Sequence, residues 1–159
     1  MFVNTIGYSN TSFMDAKHRI VIADNDASEV AFFAEAMRSV LAEFDVQNAR
    51  DGGECIRMLK NDPSPEIIFL DLEMPVKNGT ECLKSLRAMP HFDHTPIIVF
   101  SKTHNYRDID KCYKLGANYY LVKPDSKEEM VWLFKQLFST IAKHESETKQ
   151  DQFVLMHKV

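Results

Sequence analysis

Five short apolar runs punctuate the chain, four of them closing on a polar or charged residue. Residues 20–23 lead to Asp24, Ile67–Leu70 to Asp71, residues 97–100 to Ser101 and Tyr119–Val122 to Lys123, while a fifth, more polar segment covers 45–49. Unbroken apolar runs of about four residues suit parallel strands buried on both faces. Between them the apolar period lengthens to that of a helix. Val30, Phe33, Met37, Val40 and Leu41 share one face after Ser28, and Ile56, Met58 and Leu59 follow the turn Asp51-Gly52-Gly53. Cys82, Leu83 and Leu86 follow Gly79, and a helix over 109–115 stops at Gly116, which suits a glycine cap. Ser126 and Glu129 stand at capping-box spacing before Met130, Leu133, Phe134, Leu137, Phe138 and Ile141, with Trp132 near the edge of that face.

Strands that alternate with helices predict an α/β, doubly wound parallel sheet. For five strands the usual order is 2-1-3-4-5, which sets the carboxyl ends of the first and third strands side by side at the switch point. Asp24, Asn25, Asp26 and Asp71 then converge on one rim. The domain is expected over residues 18–143, preceded by an extension at 1–17 and followed by a polar tail at 144–159 that ends in an apolar patch at 153–156. No folded output domain is expected after the fifth helix.

Composition narrows the function classes. A hydrophobic content of 45% and a charged content of 26% fit a globular protein with its own core. A net charge of -4 and a pI near 5.8 argue against a general nucleic-acid surface, and no apolar run reaches membrane-spanning length. The expected location is cytoplasmic. Cys55, Cys82 and Cys112 are far apart and form no C-x-x-C pair, so they read as buried small hydrophobes. His91, Asp93 and His94 sit in a proline-bounded connector with no helical frame to aim both imidazoles at one metal.

The chemistry of the rim is more informative. Carboxylates brought within several ångströms of one another need a cation, raised pKa values, or both. An all-oxygen set suits Mg²⁺ or Mn²⁺, which bind through one or two carboxylates and phosphate oxygens. Ser101 adds a hydroxyl and Lys123 an ammonium. The metal and the lysine can neutralise a phosphoryl group in transfer, the hydroxyl can donate to one of its oxygens, and an aspartate can be the nucleophile.

The acidic group IADND, the segment FLDLEMPVKNGTE, the strand end VFS and the phrase GANYYLVKP resemble the receiver domain of two-component response regulators, over about residues 19–141. The connector MPHFDHTP and the phrase CYKLGANYYLVKP are most similar to single-domain regulators that partner bacteriophytochrome histidine kinases. The resemblance implies a flavodoxin-like fold and makes Asp71 the phosphoacceptor, Lys123 and Ser101 its catalytic partners, and Ser101 with Tyr120 the switch pair. It gives the metal site Asp24, Asp71 and the main-chain carbonyl of Glu73, with Asn25 or Asp26 as a further ligand, and it implies a cis Lys123-Pro124 bond. Receivers usually carry two adjacent acids where this chain has Asp24-Asn25, so the expected metal site has lost a charge that Asp26 can restore only in part.

The implied function is a single-domain phosphorelay switch: a sensor histidine kinase donates to Asp71 with Mg²⁺, and the message passes by protein contact to a downstream target or a phosphotransfer protein. Such a domain can catalyse its own phosphorylation and dephosphorylation without being an enzyme on another substrate. Neither a nucleic-acid nor a membrane partner is expected, and a homodimer stays open. A phosphohydrolase using Asp71 would want a second aspartate where Glu73 stands, as well as a cap domain. A flavodoxin-type binding module would want Ser, Thr and Gly in its first loop, where an acidic loop repels phosphate. A receiver that only scaffolds is the third alternative, and Asn25 keeps it open.

Overall fold

The computed structural model describes residues 15–143 and 152–155. In chain order the elements are β1 (Lys17–Ala23), α1 (Ala27–Arg38), β2 (Glu43–Ala49), α2 (Gly52–Asn61), β3 (Ile67–Leu70), α3 (Gly79–Arg87), β4 (Ile97–Ser101), α4 (Tyr106–Lys114), β5 (Tyr119–Val122), α5 (Lys127–Ala142) and β6 (Val154–Leu155). A 3-10 turn at Pro90–Phe92 interrupts the connector between α3 and β4 and buries Phe92. His91, at its centre, meets the carbonyl of Pro63 at 2.5 Å.

Strand types follow the apolar pattern closely. β3 and β4 are buried along their whole length because both faces of the sheet are covered. Ile20, Ile22, Phe69, Ile98 and Phe100 face α1 and α5, where Phe33, Met37, Phe134 and Phe138 meet them. On the other face Val21, Ile68, Leu70 and Val99 pack with Cys55, Leu59, Leu83 and Leu86. All three cysteines are buried free thiols, as their isolation in sequence predicts. Helix ends carry their own chemistry: Asp26, Asp51, Asn78, Asn105 and Ser126 each accept a main-chain N–H in the first turn that follows. Gly116, at φ +93, takes the left-handed position after α4 that a side chain would resist.

The sheet departs from expectation in one respect. Its order is β2-β1-β3-β4-β5-β6, all parallel, so the expected five strands are present and a sixth is added. Val154 and Leu155 pair with Tyr120 and Leu121, and the Tyr120 N–H donates to the carbonyl of Phe153 at 2.9 Å. Phe153 is 1% exposed, with its ring 5.2 Å from Tyr113 and 6.3 Å from Tyr120. Phe153, Val154 and Leu155, from the apolar patch in the tail, therefore complete the core beside β5, beyond the expected domain limit at 143. At the other end β1 starts at Lys17, which the expected limit left in the extension; residues 1–14 lie outside the described residues.

Phe153→Ala removes a ring that fills the end of one core layer, and a change of this kind costs about 3 kcal/mol. The expected result is a lower denaturant midpoint, with faster hydrogen exchange at the Tyr120 amide and unchanged exchange in β1 and β3. Equal protection of Tyr120 in the two proteins would show that β6 does not hold this edge.

Candidate functional site

Register builds the site. β1 pairs with β3 so that Ala23 lies opposite Leu70, and the Asp71 N–H donates to the Ala23 carbonyl at 2.9 Å. Asp24 and Asp71, each one residue past its strand, consequently lie side by side on the carboxyl rim. β4 contributes Ser101, buried at 1% exposure, and β5 delivers Lys123, whose N–H donates to the Ser101 carbonyl. Lys123 reaches across the rim: its Nζ donates to Asp24 Oδ2 at 2.8 Å and to Asp71 Oδ2 at 3.1 Å, and it lies 5.3 Å from the centre of the Phe100 ring.

A third carboxylate joins them. Glu29, in the first turn of α1, accepts a short hydrogen bond from Lys123 with one oxygen and one from Lys102 with the other. Carboxylate oxygens of Asp24, Glu29 and Asp71 lie within 4.8 Å of one another, a donor set that fits one small divalent cation. Sequence reasoning placed Asn25 or Asp26 there and missed Glu29. Asp26 is instead drawn into the cap of α1, accepting from the N–H groups of Ser28 and Glu29 and from the Ser28 hydroxyl. Asn25 is exposed, lining the same cavity as Glu73 and Lys102 without joining the Lys123 cluster. The missing signal was long-range, because only the direction of α1 brings its first turn back over the rim.

The loop after Asp71 is held tightly. The Glu73 N–H donates to Asp71 Oδ1 at 3.3 Å, and a Cβ on Gly79 would lie 2.1 Å from the Asp71 carbonyl oxygen, so any larger residue there would push this loop away. Val76, 90% exposed, has φ 64 inside a tight turn closed by Lys77 N–H to Pro75 O at 2.7 Å, a strained place for a branched side chain. On the other side of the rim, Thr103 links Ser101 to Tyr120. Its N–H donates to Ser101 Oγ at 3.3 Å, and its carbonyl accepts from the Tyr120 hydroxyl at 2.7 Å. Tyr120 is wholly buried beneath Phe153. No peptide bond among the described residues is cis, so Lys123-Pro124 is trans, contrary to expectation. Trans is the lower-energy isomer even before proline, and Lys123 reaches both aspartates from it.

Electrostatics at the rim pull in opposite directions. Burial lifts the Asp71 carboxyl above the usual carboxylate range, and the charge of Asp24 adds to this, while Lys123 offsets only part. Burial alone would lower the Lys123 ammonium, but its hydrogen bonds to Asp24 and Glu29 and the charge of Asp71 outweigh that and push it up. Glu29 is likewise lifted by burial and then held below its ordinary value by Lys102 and Lys123. A carboxyl whose folded pKa is raised costs stability while ionised, and the cost disappears as pH falls through the raised value toward the ordinary one. Asp71→Asn in chelator should therefore melt higher than the parent at pH 7, by about 5 °C. The gain should shrink on acidification; a gain independent of pH would mean that the ionised carboxylate is not its source.

Comparison with known proteins places this geometry. Residues 20–135 match the response regulator receiver domain family. The chain is 26% identical over 117 residues to response regulator Rcp1 of Synechocystis, covering 70% of this chain and 80% of that protein. It is 34% identical over 119 residues to the transcriptional regulatory protein PrrA of Mycobacterium leprae, where it covers 75% of this chain and 49% of the relative, about half its length. Among solved structures, the phosphorylated cyanobacterial phytochrome response regulator RcpA superposes with a TM-score of 0.69 at 26% identity, over 84% of this chain and 98% of that one. The Mn²⁺-bound form of Rcp1 gives 0.66 at 24% identity, over 83% and 96%, a likeness of fold. The chain belongs to the response regulator receiver domain family of two-component systems.

Proposed function

We propose that this protein is a single-domain phosphorelay switch that accepts a phosphoryl group on Asp71 from a sensor histidine kinase. The observation that carries the reading is the contact of Lys123 Nζ with Asp71 Oδ2 at 3.1 Å on a buried, acidic rim. An Asp71 oxygen attacks the phosphorus of the donor's phosphoimidazole, the P–N bond breaks, and the imidazole nitrogen keeps the electron pair. Lys123 pairs with one phosphoryl oxygen and the Ser101 hydroxyl donates to another, each stabilising charge where it develops. Asp24 and Asp71, with the carboxylate of Glu29 beside them, would hold Mg²⁺ or Mn²⁺, the main-chain carbonyl of Glu73 would be a further ligand, and Asn25 and Asp26 stand at the margin of the same cavity. When bound, that ion would screen the phosphoryl oxygens from the charge of the acceptor.

The signal leaves through Ser101 and Tyr120. A hydroxyl drawn toward a phosphoryl oxygen pulls on Thr103, and Thr103 carries the Tyr120 hydroxyl with it. The surface formed by α4, β5 and α5, bordered by Val154 and Leu155 of β6, is where a downstream target, a phosphotransfer protein or a second copy of the chain would read the state. This site works in the cytoplasm, where the kinase's phosphohistidine is presented. No helix among the described residues is long and apolar enough to cross a membrane.

Incubation of the parent with a small phosphodonor and Mg²⁺ should add one phosphoryl group by intact mass, and Asp71→Asn should gain none. An undiminished adduct on the variant would end the proposal. Ser101→Ala should still be phosphorylated, several times more slowly, but should lose the beryllofluoride-induced shifts at Tyr120 and Phe153. Retention of those shifts would show that the signal takes another route.

A further inference from the structure

Lys123 has more acidic company at rest than its pairing with a phosphoryl group requires. Two of its partners, Asp24 and Asp71, stand at strand ends; the third, Glu29, comes from a helix. Glu29 is fixed from both directions. Its N–H donates to the Asp26 side chain that caps α1, and its carboxylate is divided between Lys123 and Lys102, the residue after Ser101. Its side chain is 21% exposed, against 67% for Lys102 and 4% for Lys123, so it forms the layer between the buried ammonium and solvent.

We propose that Glu29 is a positioning residue that competes with the phosphoryl group for Lys123. This rests on the reading of Asp71 as acceptor. Three carboxylates and two ammonium groups leave the resting rim with one net negative charge. A phosphoryl group on Asp71 needs Lys123, so it must draw the ammonium from Glu29 and then face the charge left behind. Glu29 thereby opposes the phosphorylated state, while the same charge favours a divalent cation. These consequences have opposite signs, which separates the role from general damage to the site.

The test uses the full chain labelled with ¹⁵N, as parent, Glu29→Gln and Glu29→Ala, with amide shifts as the readout. Mg²⁺ is titrated first, and beryllofluoride is then titrated at saturating Mg²⁺. Both variants should bind Mg²⁺ more weakly and beryllofluoride more tightly, each by roughly three- to tenfold, the size of a unit charge acting across several ångströms of partly wetted surroundings. Beryllofluoride affinity equal to or weaker than the parent's in both variants would overturn the proposal, and a loss of both affinities would mark Glu29 as structural. A parent that fails to respond to beryllofluoride, or to take phosphoryl at Asp71, would instead refute the functional reading beneath it.

Discussion

The structure depends on one buried ammonium among three carboxylates. Asp24, Glu29 and Asp71 could not share so small a volume without the charge of Lys123, and Lys123 would not stay ionised at 4% exposure without them. Each group arrives from a different element, so the cluster also ties α1 and the ends of β1, β3 and β5 to one point. Geometry, and not the count of charges, makes this possible. The in-register pairing of β1 with β3 sets the aspartates beside each other, and the lysine spans the intervening β4 to reach them.

Beneath that rim lies a rigid floor. Phe33, Phe69, Phe100 and Phe134 meet edge to face or tilted, with ring centres 4.9 to 6.1 Å apart, in the layer that supports Lys123. A packed aromatic layer leaves little room for the lysine stem to retreat, so changes of charge at the rim are expressed sideways, along the loops that follow β3 and β4. The two loops are built differently. One is pinned by the close approach at Gly79 and carries the strained Val76, while the other reaches Tyr120 through single hydrogen bonds at Thr103.

Most of the fold was legible because its signals are local. Four buried residues before Asp71 announce a strand, Ser126 and Glu129 announce a helix start, and Gly116 announces a stop. The positions of Asp71 and Lys123 on the rim were legible for the same reason, each ending an apolar run. Glu29 was not, since nothing within a few residues distinguishes it from any exposed glutamate in a first turn, and its importance comes from a lysine 94 positions away. The strand at Val154–Leu155 escaped because two residues cannot show a period and the polar stretch before them reads as tail. The trans bond at Lys123-Pro124 lay beyond any local signal as well, because both isomers are open to an X-Pro pair.

The direction of β6 decides which end of the molecule its residues face. α5 runs against the strands and ends near the amino-terminal rim, where Phe138 stacks with His18 at the far side from the acids. By running parallel to β5, residues 154–155 turn the chain around and point it toward the front, on the flank beside Tyr120. Residues 154–155 and the acidic rim therefore share a hemisphere, so a backbone change at Tyr120 is felt first by the edge strand that its N–H holds.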